Sequence, residues 1–535
     1  MKAPAASPRR GGPRPDRRWP ILGARATRSL LVVAVLLAYA PALRNGLVWD
    51  DRAHIADNPH LRDVGTAAAT YFLRPEGAYY RPLIFLSFAA EHAVWQANPL
   101  GYHLTNLLLH AINTLLLLVL ARRTGVSEHA AALGAAVFAL HPMQTEAVAY
   151  VAGRTDVLMT TGALASCVLL LGAGAPLGRG IAAAFAGVVA LLSKETGYAL
   201  LPLWPWLAWR HERTTPARLA LAGPGLIAVL VLLAGRAGDL PDPALSLSAP
   251  RLAAVGQAMA SYVALLAWPI GLQIDRLTPL PTAPPAIALG LLVLAVALAL
   301  SAWGLTRRAA VGDWTAWTLV FYLPAANLIA LYPAIADRAL FTPEHNLYAP
   351  LAGVGILAAL GTVRVAAALS PRGRRAAWAG MLVVLAMWTA LIAARMVTWH
   401  DEERLFGAAV AAGSSSPRVW YNYGNALLQR GAAAEAVVAF TAAAERAPHD
   451  AAIWTNLGVA QQRQRSYAAA ERSYRRAAEL APRDAQIFEN LGTLYLARRD
   501  LDAARSAFTT ALELNPRLTT SRRALAAIAQ AAVDR

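Results

Sequence analysis

Apolar residues fill the first 396 positions in long blocks broken by short polar stretches, at 29–43, 103–121, 130–150, 156–174, 180–193, 197–209, 218–234, 252–271, 285–305, 314–332, 347–369 and 376–396. A bilayer-crossing helix needs ~20 apolar residues, so the pattern predicts a bundle of transmembrane helices, several of them short. The first block runs on through Leu47 and Val48, and Pro41 directly follows the Ala38-Tyr39-Ala40 triplet. It is therefore read as an uncleaved span and not as a removed leader. Loops rich in Arg mark the cytoplasmic side: Arg122-Arg123, Arg179, Arg210 to Arg218, Arg307-Arg308 and Arg372 to Arg375. With the amino terminus also inside, one block must fail to cross. The block 252–271, between the Pro-rich flanks 235–251 and 272–284, is read as re-entrant or interfacial. The expectation is about eleven spans with the carboxyl terminus outside.

On this topology the outer side carries a long loop, 47–101, and the short turns 141–155, 193–197 and 333–346. Long loops are usually functional. These four stretches hold most of the acids and histidines of the membrane half.

Beyond residue 416 the period changes. Asn422, Asn456 and Asn490 recur every 34 residues, as do Gly424, Gly458 and Gly492, then Phe440, Tyr474 and Phe508, and Pro448, Pro482 and Pro516. That is the tetratricopeptide repeat (TPR) pattern: small residues where paired helices cross, aromatics filling the gaps between neighbouring pairs, and a Pro closing each unit. The predicted fold is all-α, a polytopic helix bundle followed by a TPR α-solenoid. Its parts are a disordered basic cytoplasmic tail (1–28), the membrane domain (29–396), a linker (397–416), repeats at 417–450, 451–484 and 485–518, and a capping helix (519–535). Such arrays bind protein or peptide partners in a concave groove, or act only as spacers.

Composition agrees. With 57% apolar and 15% charged residues, a single water-soluble globule is excluded. The net charge of +17 sits mostly between apolar blocks, where topology explains it, so no nucleic-acid partner is expected. Cys167 is the sole cysteine, which rules out an internal disulfide.

Candidate chemistry gathers on the outer side. Asp50-Asp51 follow the first span; acids there serve as helix caps, or as a pair. In a pair, one carboxylate takes a proton from an acceptor hydroxyl while the other orients the acceptor or, less favoured, holds a divalent metal. Tyr79-Tyr80-Arg81 lies later in the loop, and Arg81 suits a bidentate phosphate contact or the charge at a helix start. His103, Asn106, His110 and Asn113 share one helix face. His110 and Asn113 are expected to make interhelical hydrogen bonds, and His103, nearest the outer side, to touch substrate. A metal shared by His103 and His110 is excluded, because two helical turns set them ~10 Å apart. The turns add His141, Glu146, Arg154, Asp156, Lys194, Glu195, Glu344, His345 and Tyr348. Each alone is a weak signal, and a Lys-Glu neighbour pair is more often a structural cap. An enzyme built on this rim requires Asp50-Asp51, Arg81, Glu146, Asp156 and Lys194 to line one outward cavity.

Taken in order, Trp49-Asp50-Asp51, Tyr80-Arg81-Pro82-Leu83, Tyr102-His103-Leu104-Thr105-Asn106, His141-Pro142 with Thr145-Glu146, Gly153-Arg154 with Asp156, and Ser193-Lys194-Glu195 give the chain a marked likeness. It resembles the transmembrane-and-TPR (TMTC) proteins of the GT-C glycosyltransferase and protein O-mannosyltransferase group, over about residues 28–535. The resemblance implies transfer of a mannose-like sugar from a polyprenyl-phosphate carrier to a protein or glycan acceptor at the non-cytoplasmic face. It places Asp50-Asp51 as the acidic pair of the first outer loop. Glu344-His345 falls where relatives often carry Glu-Arg, so His345 is a departure. Arg81, Arg154 or Lys194 would steady the phosphate, with no cofactor required. Tyr80, His103, His141, Glu146, Asp156, Glu195, Glu344, His345 and Tyr348 complete the expected substrate contacts. The Ala/Arg-rich composition favours a bacterial inner membrane. The alternatives are a membrane-anchored TPR scaffold without enzymatic activity, an oligosaccharide ligase or polymerase, and a transporter.

Overall fold

Helix starts follow local chemistry. The helix Pro99–Arg123 begins with Pro at its first turn and with the Asn98 side chain accepting the Leu100 N–H, and it ends before Gly125, whose φ is +86°. Ser127 caps the next helix, Glu128–Leu140, in the same way. The computed structural model describes residues 23–73, 80–212, 214–234, 249–279, 284–307, 309–326 and 339–533. Tail residues 1–22, Tyr79, most of the flank 235–251, residues 327–332 of the block 314–332 and residues 333–338 of the late outer loop lie outside these.

The described fold is helical apart from one two-stranded antiparallel ribbon, Leu277–Pro279 with Ala339–Phe341. Five of the described helical segments are long and apolar enough to cross a membrane: Ala24–Arg44, Pro99–Arg123, Pro284–Arg307, Pro350–Ala368 and Pro371–Trp399. The protein is a multi-pass membrane protein. Helices Pro99–Arg123, Glu128–Leu140 and Arg154–Leu170 form the inner layer and bury much of their surface. Pro371–Met396 buries only Ile392 and Met396 and leaves Leu382 and Val383 exposed, the arrangement of a helix facing lipid.

Three expectations change. The block 130–150 is not one span: Pro142 has no N–H to continue the ladder, so the chain turns at His141 into a short 3-10 turn and the helix Thr145–Ala149. The loop 47–101 is not loop throughout, because Pro82–Trp95 is an apolar helix packed in a small core with Ile55, Leu61 and Tyr102. The linker 397–416 contains the helix Glu402–Ala411, which buries Leu405, Phe406 and Ala409.

The six repeat helices, Pro417–Arg430 through Leu501–Leu514, and the terminal helix Thr519–Val533 follow the 34-residue period. The aromatics fill space inside each helix pair as well as sharing clusters with the next pair, Phe440 with Leu457, Tyr474 with Leu491 and Phe508 with Ile528. A Cβ added to Gly424, Gly458 or Gly492 would lie 2.8, 2.6 or 2.7 Å from the ring of Phe440, Tyr474 or Phe508. Gly458→Ala in the full chain is therefore expected to destabilise the array by about 1–3 kcal/mol through overpacking. Thermal unfolding checks this, and an unchanged midpoint contradicts the packing.

Candidate active site

The four polar stretches meet at one end of the bundle. Their junction is built on Asp51, whose side chain is fully buried. Asp51 Oδ1 accepts the Ala152 N–H at 2.7 Å, and Oδ2 accepts those of Val151 and Val48, both at 3.3 Å. One carboxyl group thus ties the exit of the first span to the turn before Arg154. Burial pushes the Asp51 carboxyl up to about 8, the three backbone donors pull it back, and the Asp50 charge adds to the rise.

Trp49, with φ +57°, turns the backbone through the left-handed region. Its N–H donates to Glu402 Oε1 at 3.3 Å, and its ring stacks on Tyr150 at 5.5 Å. Asp51 is thereby turned inward while Asp50 stays exposed. Asp50 faces a cavity of about 670 Å³, walled on one side by Trp49, Ala53 and Glu402 and on the other by Arg418, Tyr421, Asn422, Asn425 and Asn456 of the repeats. Burial first, then the neighbouring Asp50 and Asp51 charges, keep the Tyr150 hydroxyl protonated. His54 lies within electrostatic reach of both Asp50 and Arg81, and its pKa is lowered by burial, opposed by Asp50 and assisted by Arg81.

The remaining candidates divide into buried pairs. Lys194 Nζ donates to both oxygens of Asp156, at 2.7 and 2.8 Å, with both residues buried. Arg154 is fully buried and bonds Glu91 at 2.7 Å, Asn106 Oδ1 at 2.8 Å and the Tyr102 carbonyl at 2.9 Å, with Phe88 beneath its guanidinium. Glu146 accepts from the Glu344 and His345 backbone N–H groups and pairs with His345 Nδ1 at 2.8 Å. Burial alone would raise the Glu146 carboxyl; His345 and Arg395 reverse this and hold it below the usual carboxylate range. Glu344 pairs with Arg395 at 2.6 Å, and burial still raises it to about 7. Arg81 and Glu195 form a bidentate pair that keeps partial exposure, 18% and 17%.

Histidines and tyrosines of the rim act mainly as struts. His103 Nε2 reaches the Gly46 carbonyl at 3.3 Å, and His141 bonds the Leu266 carbonyl at 3.1 Å. His110 and Asn113 both bond the Tyr348 hydroxyl, at 2.7 and 3.1 Å, which ties the late turn to the helix Pro99–Arg123. The Tyr80 hydroxyl donates to the Phe72 carbonyl.

The six residues required in one outward cavity are therefore not all there. Asp50 and Arg81 keep access to the outside, whereas Asp51, Glu146, Asp156 and Lys194 are buried and already bonded. The physical reason is that each buried group is satisfied within the fold: Glu146, Asp156 and Lys194 have counter-charges, and Asp51 has three backbone N–H donors. Sequence reasoning missed Glu91, Tyr150, Asp275, Arg395, Glu402 and Arg418. Glu91 and Arg395 were detectable as lone charges within apolar helices, whereas the other four carry no local signal.

The fold and site thus define a helical membrane protein with a TPR array seated against its polar rim. Tetratricopeptide repeat models match residues 403–451, 433–485 and 455–519, and the first match begins inside the linker helix. Among curated proteins, the chain is 24% identical over 443 residues to a protein O-mannosyl-transferase of Caenorhabditis elegans, covering 76% of this chain and 60% of that protein. It is 36% identical over 144 residues to protein O-mannosyl-transferase Tmtc1 of Drosophila melanogaster, covering 25% of this chain and 16% of the fly protein. With protein O-mannosyl-transferase TMTC1 of Mus musculus it shares 33% over 176 residues, 30% of this chain and 18% of that one. The aligned part is thus at most 60% of these relatives' length. ArnT from Cupriavidus metallidurans, solved with undecaprenyl phosphate, aligns with 87% of this chain and 81% of its own at 16% identity and a TM-score of 0.38. In sequence the protein is TMTC-like.

The buried pairs make a direct prediction. Lys194→Met strands the Asp156 carboxylate and is expected to cost about 3–5 kcal/mol of stability, most of which the added Asp156→Leu change restores. Chemical or thermal unfolding of the two variants measures this. A Lys194→Met protein as stable as wild type would mean that Lys194 is not a structural counter-ion.

Proposed function

We propose that the protein is a membrane glycosyltransferase that moves a mannose-like sugar from a polyprenyl-phosphate carrier to an acceptor hydroxyl at the non-cytoplasmic face. The observation that carries this reading is the contrast between two adjacent aspartates: Asp51 is locked inside, and Asp50 is presented at a cavity mouth beside Tyr150. The names of the relatives support the class of reaction.

In this reading Asp50 removes the proton from the acceptor hydroxyl. The hydroxyl oxygen attacks the anomeric carbon, the bond from that carbon to the phosphate oxygen breaks, and the polyprenyl phosphate leaves with the bonding pair. Attack from the face opposite the leaving group inverts the centre. The phosphate departs as an anion, so no general acid is required, and no metal takes part in the step as written. Arg81 is the sequence-named cation retaining exposure, and Glu195 orients its guanidinium toward that task. Arg154 and Lys194 act instead as counter-ions that hold the rim rigid.

Asp50→Asn is expected to lower sugar transfer in membranes by about a hundredfold or more while leaving thermal stability unchanged. Asp51→Asn is expected to lower both, because an amide cannot accept from all three backbone donors, which costs about 1–3 kcal/mol. Transfer assays with polyprenyl-phosphate mannose, paired with unfolding curves, separate the two. Full activity in Asp50→Asn overturns the assignment.

A further inference from the structure

The cavity beside Asp50 carries its charges on opposite walls. Asp50 and Glu402 stand on the side of the first outer turn and the linker helix, and Arg418 and Arg463 on the side of the repeats. Glu402 is engaged by the Trp49 N–H at 3.3 Å, and Arg463 by the Leu428 carbonyl at 2.9 Å. Arg418 reaches across. Its guanidinium carbon lies 5.2 Å from the centre of the Trp49 ring, a cation–π distance, and Asp50 and Tyr150 are within its electrostatic reach.

Arg418 is held in that place from behind. The buried Asp275 carboxylate accepts Arg418 Nε at 3.0 Å on one oxygen and Nη2 on the other, and it also accepts the Ser416 hydroxyl. Just after Asp275, Leu277–Pro279 pair with Ala339–Phe341 in the two-stranded ribbon, so this carboxylate is anchored in the membrane domain. One edge of the guanidinium thus meets Asp275 while its centre lies over the indole. A planar fork satisfies both contacts at once, and an ammonium does not.

The Trp49 ring is thereby enclosed by Tyr150 at 5.5 Å, by Phe406 at 6.2 Å and by Arg418. Phe406 belongs to the linker helix and Arg418 to the first repeat, so two of these three packing groups lie beyond the membrane spans. Trp49 directly precedes Asp50, and its backbone is in the left-handed region, where a change of side-chain packing readily reorients the turn. A general base must sit within hydrogen-bond reach of the proton it takes, and a small misplacement lowers the rate steeply.

We propose that Arg418 of the first repeat is a positioning residue for Asp50, so that the repeat array completes the catalytic site. Arg418 acts through Trp49: clamped between Asp275 and the indole, it fixes the turn that presents the carboxylate. It does not touch the substrate. The inference rests on the transferase reading for the role of Asp50, and on the line from Asp275 through Arg418 to Trp49 for the rest. The array and the membrane domain then form one catalytic unit.

The test uses the full-length protein in native membranes with radiolabelled polyprenyl-phosphate mannose as donor. Arg418→Gln is expected to lower kcat about tenfold and to leave KM for the donor within about twofold. Trp49→Leu is expected to be slow as well, and adding Arg418→Gln to it is expected to change kcat by less than about twofold, because the two side chains act as one device. Ser416→Ala loosens the same junction but leaves Arg418 in place, and is expected to keep kcat within about twofold of wild type. Wild-type kcat in Arg418→Gln, an equal fall in Ser416→Ala, or a further tenfold fall when Arg418→Gln is added to Trp49→Leu overturns the proposal. Full activity in Asp50→Asn removes the base and this proposal with it, whereas an inactive Asp50→Asn beside a fully active Arg418→Gln removes this proposal alone.

Discussion

One carboxyl group joins the parts that matter. Asp51 satisfies the N–H groups of Val48, Val151 and Ala152, two segments about a hundred residues apart in sequence. Buried backbone donors must find an acceptor, and an acidic side chain placed among three of them is the stronger solution. Everything at the rim inherits its position from that contact. It sets where Trp49 turns, which way Asp50 faces, and how the Tyr150 ring lies against Trp49.

Around this junction the fold surrounds its site with paired charges. Arg154 with Glu91, Lys194 with Asp156, His345 with Glu146 and Arg395 with Glu344 each link elements that are distant in sequence. Such pairs add little net stability compared with well-packed apolar residues, but each tolerates few alternative geometries. His345 Nδ1 meets Glu146 at 2.8 Å and so joins the late turn to the short helix Thr145–Ala149.

The helical class, the presence of the repeat array and the gathering of polar turns at one end were all legible in the sequence. They are written in periodicities of 3.6 and 34 and in the placement of polar residues between apolar blocks. The division of labour was not. Asp50 and Asp51 are chemically identical neighbours, and what separates them is the three backbone donors, from Val48, Val151 and Ala152, that meet Asp51 alone. Lys194 was expected to steady the phosphate, yet it is held by Asp156, 38 positions away. The cleft facing Asp50 was equally hidden, since its two walls come from residues near 50 and near 420–460. A linker helix that sequence periodicity did not reveal, Glu402–Ala411, helps bring them together through Glu402 and Phe406.

The central claim is that Asp51 holds these two segments as one unit. Hydrogen–deuterium exchange across residues 46–53 and 149–155, in wild type and in Asp51→Ala, tests it most directly. The account predicts that both segments exchange faster together in the variant, while the third repeat, 485–518, stays as protected as before. If the amides of Val151 and Ala152 keep their wild-type protection once the carboxyl group is gone, the junction does not depend on Asp51 and the account is wrong.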